Sequence, residues 1–145
     1  MLRRLSLSLR RGAALTATRV SIGKQKLVYV LIADKRLRYK KGKSRIAYIG
    51  TTKRGVGRVA GSVATKAEQI LELHGVTSFH ARIVTCQPRR SVSTWLKLER
   101  ALLLSFKHRF GEVPRCNSHG KGMRERGEYR YFHKIGVANI IDELC

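Results

Sequence analysis

Along this chain the spacing of apolar and polar positions changes several times, and each change marks an element. Residues 26–33 are almost unbroken in apolar character, with Leu-Val-Tyr-Val-Leu-Ile at their heart. A run of that kind predicts a strand covered on both faces, and so central in its sheet. Residues 46–49 are short, apolar and β-prone, and Gly50-Thr51-Thr52 ends them, which predicts a second strand. Over residues 54–74 the period becomes helical: Val56, Val59, Val63, Ala67, Ile70 and His74 recur at three- and four-residue steps, with Gly75 as the stop. Residues 78–86 alternate, setting Phe79, Ala81 and Ile83 on one side of a third strand. After the break at Pro88-Arg89-Arg90, Ser91 stands where a cap would begin a long helix. Its stripe is Trp95, Leu98, Leu102, Leu103, Phe106 and Phe110, and Gly111 ends it.

The flanks carry weaker patterns. Residues 4–10 and 15–22 read as two short strands around an Arg11-Gly12 turn. Residues 112–123, with Pro114, Gly120 and Gly122, read as a loop, 128–132 as a further strand and 137–144 as a terminal helix. The core order is β-β-α-β-α. That is an α+β domain: a small three-stranded antiparallel sheet flanked by helices, with an N-terminal extension forming extra strands. Three stretches follow: a basic extension over 1–25, a core over 26–123, and a C-terminal strand and helix over 124–145. One domain of 145 residues buries enough surface to dispense with disulfides. Cys86, Cys116 and Cys145 are odd in number and lack framework spacing, which fits a reducing compartment.

Charge changes the picture more than composition does. The chain has 31 Lys and Arg against 9 Asp and Glu, a net charge of +22. A polyanion is the natural counterpart of such an excess, and nucleic acid is the first candidate, DNA ahead of RNA. A membrane partner is excluded as a span, because no apolar run approaches roughly 18 residues. The basic excess peaks over 34–45, where Lys35, Arg36, Arg38, Lys40, Lys41, Lys43 and Arg45 fill seven of twelve positions around Gly42. This is expected to be an extended hairpin loop between the first two core strands, gripping phosphates. Residues 2–15, rich in Arg, Ser and Leu, have the composition of an organellar presequence. Their alternation of Leu5, Leu7 and Leu9 with Ser6 and Ser8 instead reads as a strand. An intracellular location, cytoplasmic or nucleoid, is expected, with an organelle as the alternative.

Four polar positions stand out. Tyr29 and Tyr48 lie on the first two strands, and matching parity would set both phenols on one side of the sheet, with Ile46 and Gly50 beside Tyr48. Arg58, off the apolar line in the first turn of the first helix, is placed to meet an anion together with the helix N–H groups. Glu99 lies at the margin of the apolar stripe of the second helix. A carboxylate there is costly unless it is paired or holds a metal.

Val28-Tyr29-Val30, then Tyr48-Ile49-Gly50, Arg58, Glu99 and Asn117, in this order and each on its element, resemble the GIY-YIG nuclease family over about residues 26–120. The resemblance implies the fold named above and hydrolysis of a phosphodiester bond by water with one divalent ion, Mg²⁺ or Mn²⁺. It implies that Tyr29 and Tyr48 are paired phenols, Tyr29 the better candidate to take the proton of water. Arg58 would bind the scissile phosphate, Glu99 would be the single metal ligand, and Asn117 would hold the site loop. The sequence departs from the pattern in three ways: VYV stands for GIY, the basic hairpin makes the spacing between the two tyrosines long, and Ser62 stands where many members carry histidine.

The competing expectation is a nucleic-acid-binding or ribosome-embedded protein of the same fold, with catalysis lost or incidental, for which the +22 charge speaks. Cys116-x-x-His119 is half of a zinc spacing without a second half. His119-Gly120-Lys121-Gly122 has the composition of a phosphate-contacting loop, with Lys121 its cation. Cutting both strands from one site would need a homodimer, or two successive nicks by a monomer.

Overall fold

The computed structural model describes residues 4–13, 16, 26–118 and 122–145. Strand β1, Leu27–Tyr39, turns at Lys40-Lys41 into β2, Gly42–Thr52; α1, Val56–Leu71, leads to β3, Phe79–Val84. The long helix α2, Thr94–Phe110, is followed by the single-turn α3, Glu125–Glu128, and by α4, Lys134–Leu144. The fold is thus α+β, with a three-stranded antiparallel sheet of order β2-β1-β3 and helices packed against it. As the unbroken apolar run implies, β1 is the central strand, and Leu27, Val28, Val30 and Leu31 are fully buried. The third strand lies at an edge and is only half-buried, with Ala81 exposed. Among the described residues no helix is long and apolar enough to cross a membrane.

The basic run is strand, not loop. Both strands continue to the two-residue tip because their apolar and polar positions alternate. Leu37, Tyr39, Ser44 and Ile46 are buried, whereas Arg36, Arg38, Lys43 and Arg45 are exposed. Tyr39 seats the inner face on α2. Its ring meets Phe106 edge-on at 5.0 Å, and its hydroxyl donates to the Ile46 carbonyl at 2.6 Å. The tip is pinned where Lys41 N–H donates to the Phe110 carbonyl at 3.0 Å.

Register is interrupted twice. Leu31 faces Tyr48, yet Ile32 faces Ile46, so Ala47 is an extra residue in β2. Next, Leu37 faces Ser44, so residues 33–36 bulge from β1. A bulge re-phases side chains. Ile46 therefore sits on the opposite face from Tyr48 instead of beside it, as simple parity suggested.

In α2 the expected stripe is buried throughout, and Gly111 ends the helix in the left-handed region at φ 81°. Lys40 and Lys41 pass so close that a Cβ on Gly111 would lie 3.1 Å from their stems. The helix begins after Ser93 rather than Ser91, whose φ of 60° belongs to the preceding turn.

Two expected strands do not form. Residues 4–10 pair with nothing among the described residues, and Leu5, Leu7 and Leu9 stay at least 90% exposed, because alternation without an apolar surface to cover gives no sheet. The strand expected over 15–22 lies outside the described residues except for Thr16. At 128–132 the cause is Glu128. Its buried carboxylate accepts from Arg100 Nε at 2.7 Å and from the Arg124 N–H at 2.5 Å, which curls the segment back onto α2.

Candidate active site and basic face

The site is built around Gly50. In the register Tyr29 faces Gly50 and Leu31 faces Tyr48, so the two tyrosines are diagonal neighbours on one face. Their ring centroids are 5.9 Å apart with planes tilted by 39°. A Cβ on Gly50 would lie 2.6 Å from Tyr48 Cε1 and 2.8 Å from Tyr29 Cζ and its hydroxyl. Glycine at this position is what lets the two phenols converge.

Tyr29 is buried and Tyr48 half-buried. Burial, then the neighbouring Tyr29 phenol, then the charge of Glu99 hold the Tyr48 hydroxyl well above the ordinary tyrosine range. Tyr48 is therefore neutral at physiological pH, a hydrogen-bond donor rather than a base. The same influence places Glu99, half-buried on α2, in electrostatic reach of Tyr48. Its neighbour Arg100 is turned to Glu128.

Asn117 lies on the loop after α2. Its side-chain amide binds the main chain of Ile49 in both directions: Ile49 N–H donates to Oδ1 at 2.9 Å, and Nδ2 donates to the Ile49 carbonyl at 2.8 Å. The Cys116 N–H adds a bond to the Ala47 carbonyl at 2.9 Å. The loop thus satisfies the outer edge of β2 as a further strand would. It also fixes the strand just where Tyr48 and Gly50 must be held.

Lys66 was not expected here. From α1 its Nζ lies 4.8 Å from the Tyr48 ring centroid and donates to the Cys116 carbonyl at 3.3 Å, tying helix, ring and loop together. Nothing in the sequence distinguishes it among 31 basic residues; only the helical step of eight from Arg58 could have suggested a shared face. Arg58 is exposed in the first turn of α1, with its guanidinium along Gly61 and in no ion pair among the described residues. The structure brings Tyr29 and Tyr48 together, ties Asn117 to the main chain beside Tyr48, and sets Glu99 in electrostatic reach of Tyr48; Arg58 stands on the helix that follows β2.

Of the seven hairpin cations, Arg36, Arg38, Lys43 and Arg45 form the exposed face of the β1–β2 ribbon, with Arg38 and Lys43 register partners. Lys35 lies across Gly75, and Lys40 and Lys41 flank Gly111. Lys121, His119 and Gly120 fall outside the described residues. Cys116 is buried, and among the described residues no group of three or more His, Cys, Asp or Glu is gathered to hold a metal. A metal ion here would have Glu99 as its one carboxylate. A hollow lined by Gly122, Arg124, Arg126, Gly127, Glu128 and Arg130 shares no residue with the site. Comparison with protein-family models, with curated proteins and with solved structures returns no match.

Proposed function

We propose that this protein is a DNA endonuclease of the GIY-YIG kind, hydrolysing a phosphodiester bond with water as nucleophile. The observation that carries the reading is the convergence of Tyr29 and Tyr48, 5.9 Å apart across Gly50, with the charge of Glu99 felt at Tyr48. Two phenols and one carboxylate suit a hard cation that keeps most of its water. Glu99 would hold one Mg²⁺ or Mn²⁺ ion, which when bound neutralises charge on the phosphate. Tyr29 relays a proton as the water oxygen bonds to phosphorus and the ester bond to the leaving oxygen breaks: its hydroxyl accepts one from the water and passes its own to a phosphate oxygen, from which the leaving oxygen is protonated. Tyr48, neutral, donates a hydrogen bond that orients the reacting groups. Arg58 grips the scissile phosphate with its planar fork.

The test is single-turnover cleavage and binding measured on the same duplex. Glu99→Gln should abolish cutting and leave binding largely intact. Arg58→Lys keeps the charge and loses the fork, and should cost on the order of a hundredfold in rate with little change in affinity. The competing reading, a nucleic-acid-binding or ribosome-embedded protein, rests on the +22 charge. It wins if the wild type cuts neither DNA nor RNA with either ion.

A further inference from the structure

The two bulges decide which side of the sheet the basic ribbon serves. Tyr29, Leu31, Tyr48 and Gly50 share one face; Ile32 and Ile46 share the other. Counting down β2 from Ile46, Ser44 stays on the face of Ile46, and Arg45 and Lys43 return to the face of Tyr48. Register carries this across to β1, where Leu37 partners Ser44 and Arg38 partners Lys43; Arg36, two residues from Arg38 at the end of the bulge, has no register partner and is exposed beside them. Burial agrees: Ser44, Ile46 and Leu37 are buried and the four cations exposed. Without Ala47 as an extra residue, Tyr48 would lie on the side of Ser44, and the cations would face away from it.

We infer that Arg36, Arg38, Lys43 and Arg45 form a phosphate track continuous with the tyrosine face, holding the DNA backbone on one side of the scissile bond only. This rests on the nuclease reading for what happens at the tyrosines, and on the register alone for where the track lies. From Tyr48 to Lys43 the strand covers about 17 Å at roughly 3.3 Å per residue. At 3.4 Å per base pair, that is about five base pairs of duplex. Among the described residues the four cations enter no ion pair, so their charge is directed to an external anion. The track is also held before the DNA arrives. Its inner face is seated on α2 through Tyr39, and the Arg115 side chain donates to the Arg38 carbonyl. Little ordering of the backbone is left for the DNA to impose.

Two measurements on a 30-base-pair duplex of mixed sequence test it, with wild type against Arg36→Gln/Arg38→Gln/Lys43→Gln/Arg45→Gln. In EDTA, the slope of log K against log salt should fall by about 3.6 in the variant, near 0.9 for each phosphate no longer neutralised. With Mg²⁺ and end-labelled strands, wild-type cuts should stop about five nucleotides short of one end of the cut strand. At the other end they should run to within one or two. Residual cutting by the variant should lose that asymmetry. An unchanged slope overturns the track, provided the variant melts like the wild type. A reduced slope with wild-type cuts equally close to both ends also overturns it, because the cations then bind DNA away from the tyrosines. If the wild type binds with the expected slope difference and cuts nothing, the nuclease reading falls and the track stands on the slope.

Discussion

The hairpin over 34–45 and the C-terminal segment over 124–145 use charge in opposite ways. The C-terminal segment has four basic and four acidic residues and no net charge, so the other 27 basic and 5 acidic residues carry the whole +22. All four of its acids are in ion pairs that fasten it down. Glu128 binds Arg100, Glu125 meets His108 and Lys134, Asp142 meets Arg109, and Glu143 lies 3.9 Å from Arg82. Of these five partners three project from α2 and one from β3, and Lys134 belongs to the segment itself. The hairpin is fastened without an ion pair among the described residues: by the Tyr39 ring and hydroxyl, by the Lys41 N–H on the Phe110 carbonyl, and by the Arg115 side chain on the Arg38 carbonyl. Even Asp34, its only acid, is taken by Thr77, whose hydroxyl holds that carboxyl below its ordinary range. The contrast teaches that in this chain the charges of the C-terminal segment are matched within the molecule, at the buried Glu128 and in exposed surface pairs, while charge left over on one strand face is available to a partner.

The contrast breaks most visibly at Glu128. Glu128→Gln should cost about 2–3 kcal/mol, because the Arg100 guanidinium and Arg124 N–H lose a charged acceptor at a buried position. Burial alone would raise the Glu128 pKa. The hydrogen bonds from Arg100 and Arg124, with the charges of Arg100 and Lys97, outweigh it and leave the pKa lowered. The stabilisation is therefore present above the ordinary carboxylate value of 4.5 and is lost as pH falls through the lowered one. Chemical denaturation from pH 7 down to 3 should show wild type and variant converging. Duplex affinity and its salt slope should stay as they are. A change in either would mean that the C-terminal segment also faces the nucleic acid.

Tyr39→Phe sharpens the other half, at about 1–2 kcal/mol. It keeps the ring against Phe106 and removes the hydroxyl that donates to Ile46 and accepts from the Arg115 N–H at 3.0 Å. Burial pushes the Tyr39 hydroxyl up from 10.0 to about 12. A raised pKa means stability that is complete below pH 10 and lost as pH rises toward 12. Wild type should thus lose stability across that window and Tyr39→Phe should lose less. Equal alkaline slopes would show that charge, not this neutral hydroxyl, governs the hairpin.

How much of this was legible in the sequence depends on whether a residue's partner is local. The strand of Tyr29, the stripe from Trp95 to Phe110 and the stop at Gly111 were legible, since periodicity and a left-handed glycine act within one element. The nearness of the two tyrosines followed from parity, though the correct face for Ile46 did not, because one extra residue at Ala47 reverses every position beyond it. The basic run looked like a loop because seven cations mask the alternation of Leu37, Tyr39, Ser44 and Ile46. Glu128 hid its helix for another reason: its partner Arg100 is 28 residues away, and no local pattern reports a partner at that separation. Lys66 was invisible on both counts, one cation among many whose contacts are with a strand and a distant loop.

The smallest expected effect concerns the tip. Lys40 and Lys41 belong to the basic run by sequence, yet their stems flank Gly111 at the C-terminal end of α2, where a cation meets the unpaired carbonyls of the last turn. They stand past the stretch where Arg38 faces Lys43 across the ribbon. Lys40→Gln/Lys41→Gln should therefore act on the fold, and only slightly: a loss of about 0.5 kcal/mol from the helix end. Lys43→Gln should do the reverse, leaving stability within about 0.5 kcal/mol while removing about 0.9 from the salt slope. Urea melts and anisotropy titrations on three proteins would settle it. If the double variant lowers the slope by about 1.8, the tip grips phosphate as well, and the division between charge for folding and charge for binding does not run along the strand face.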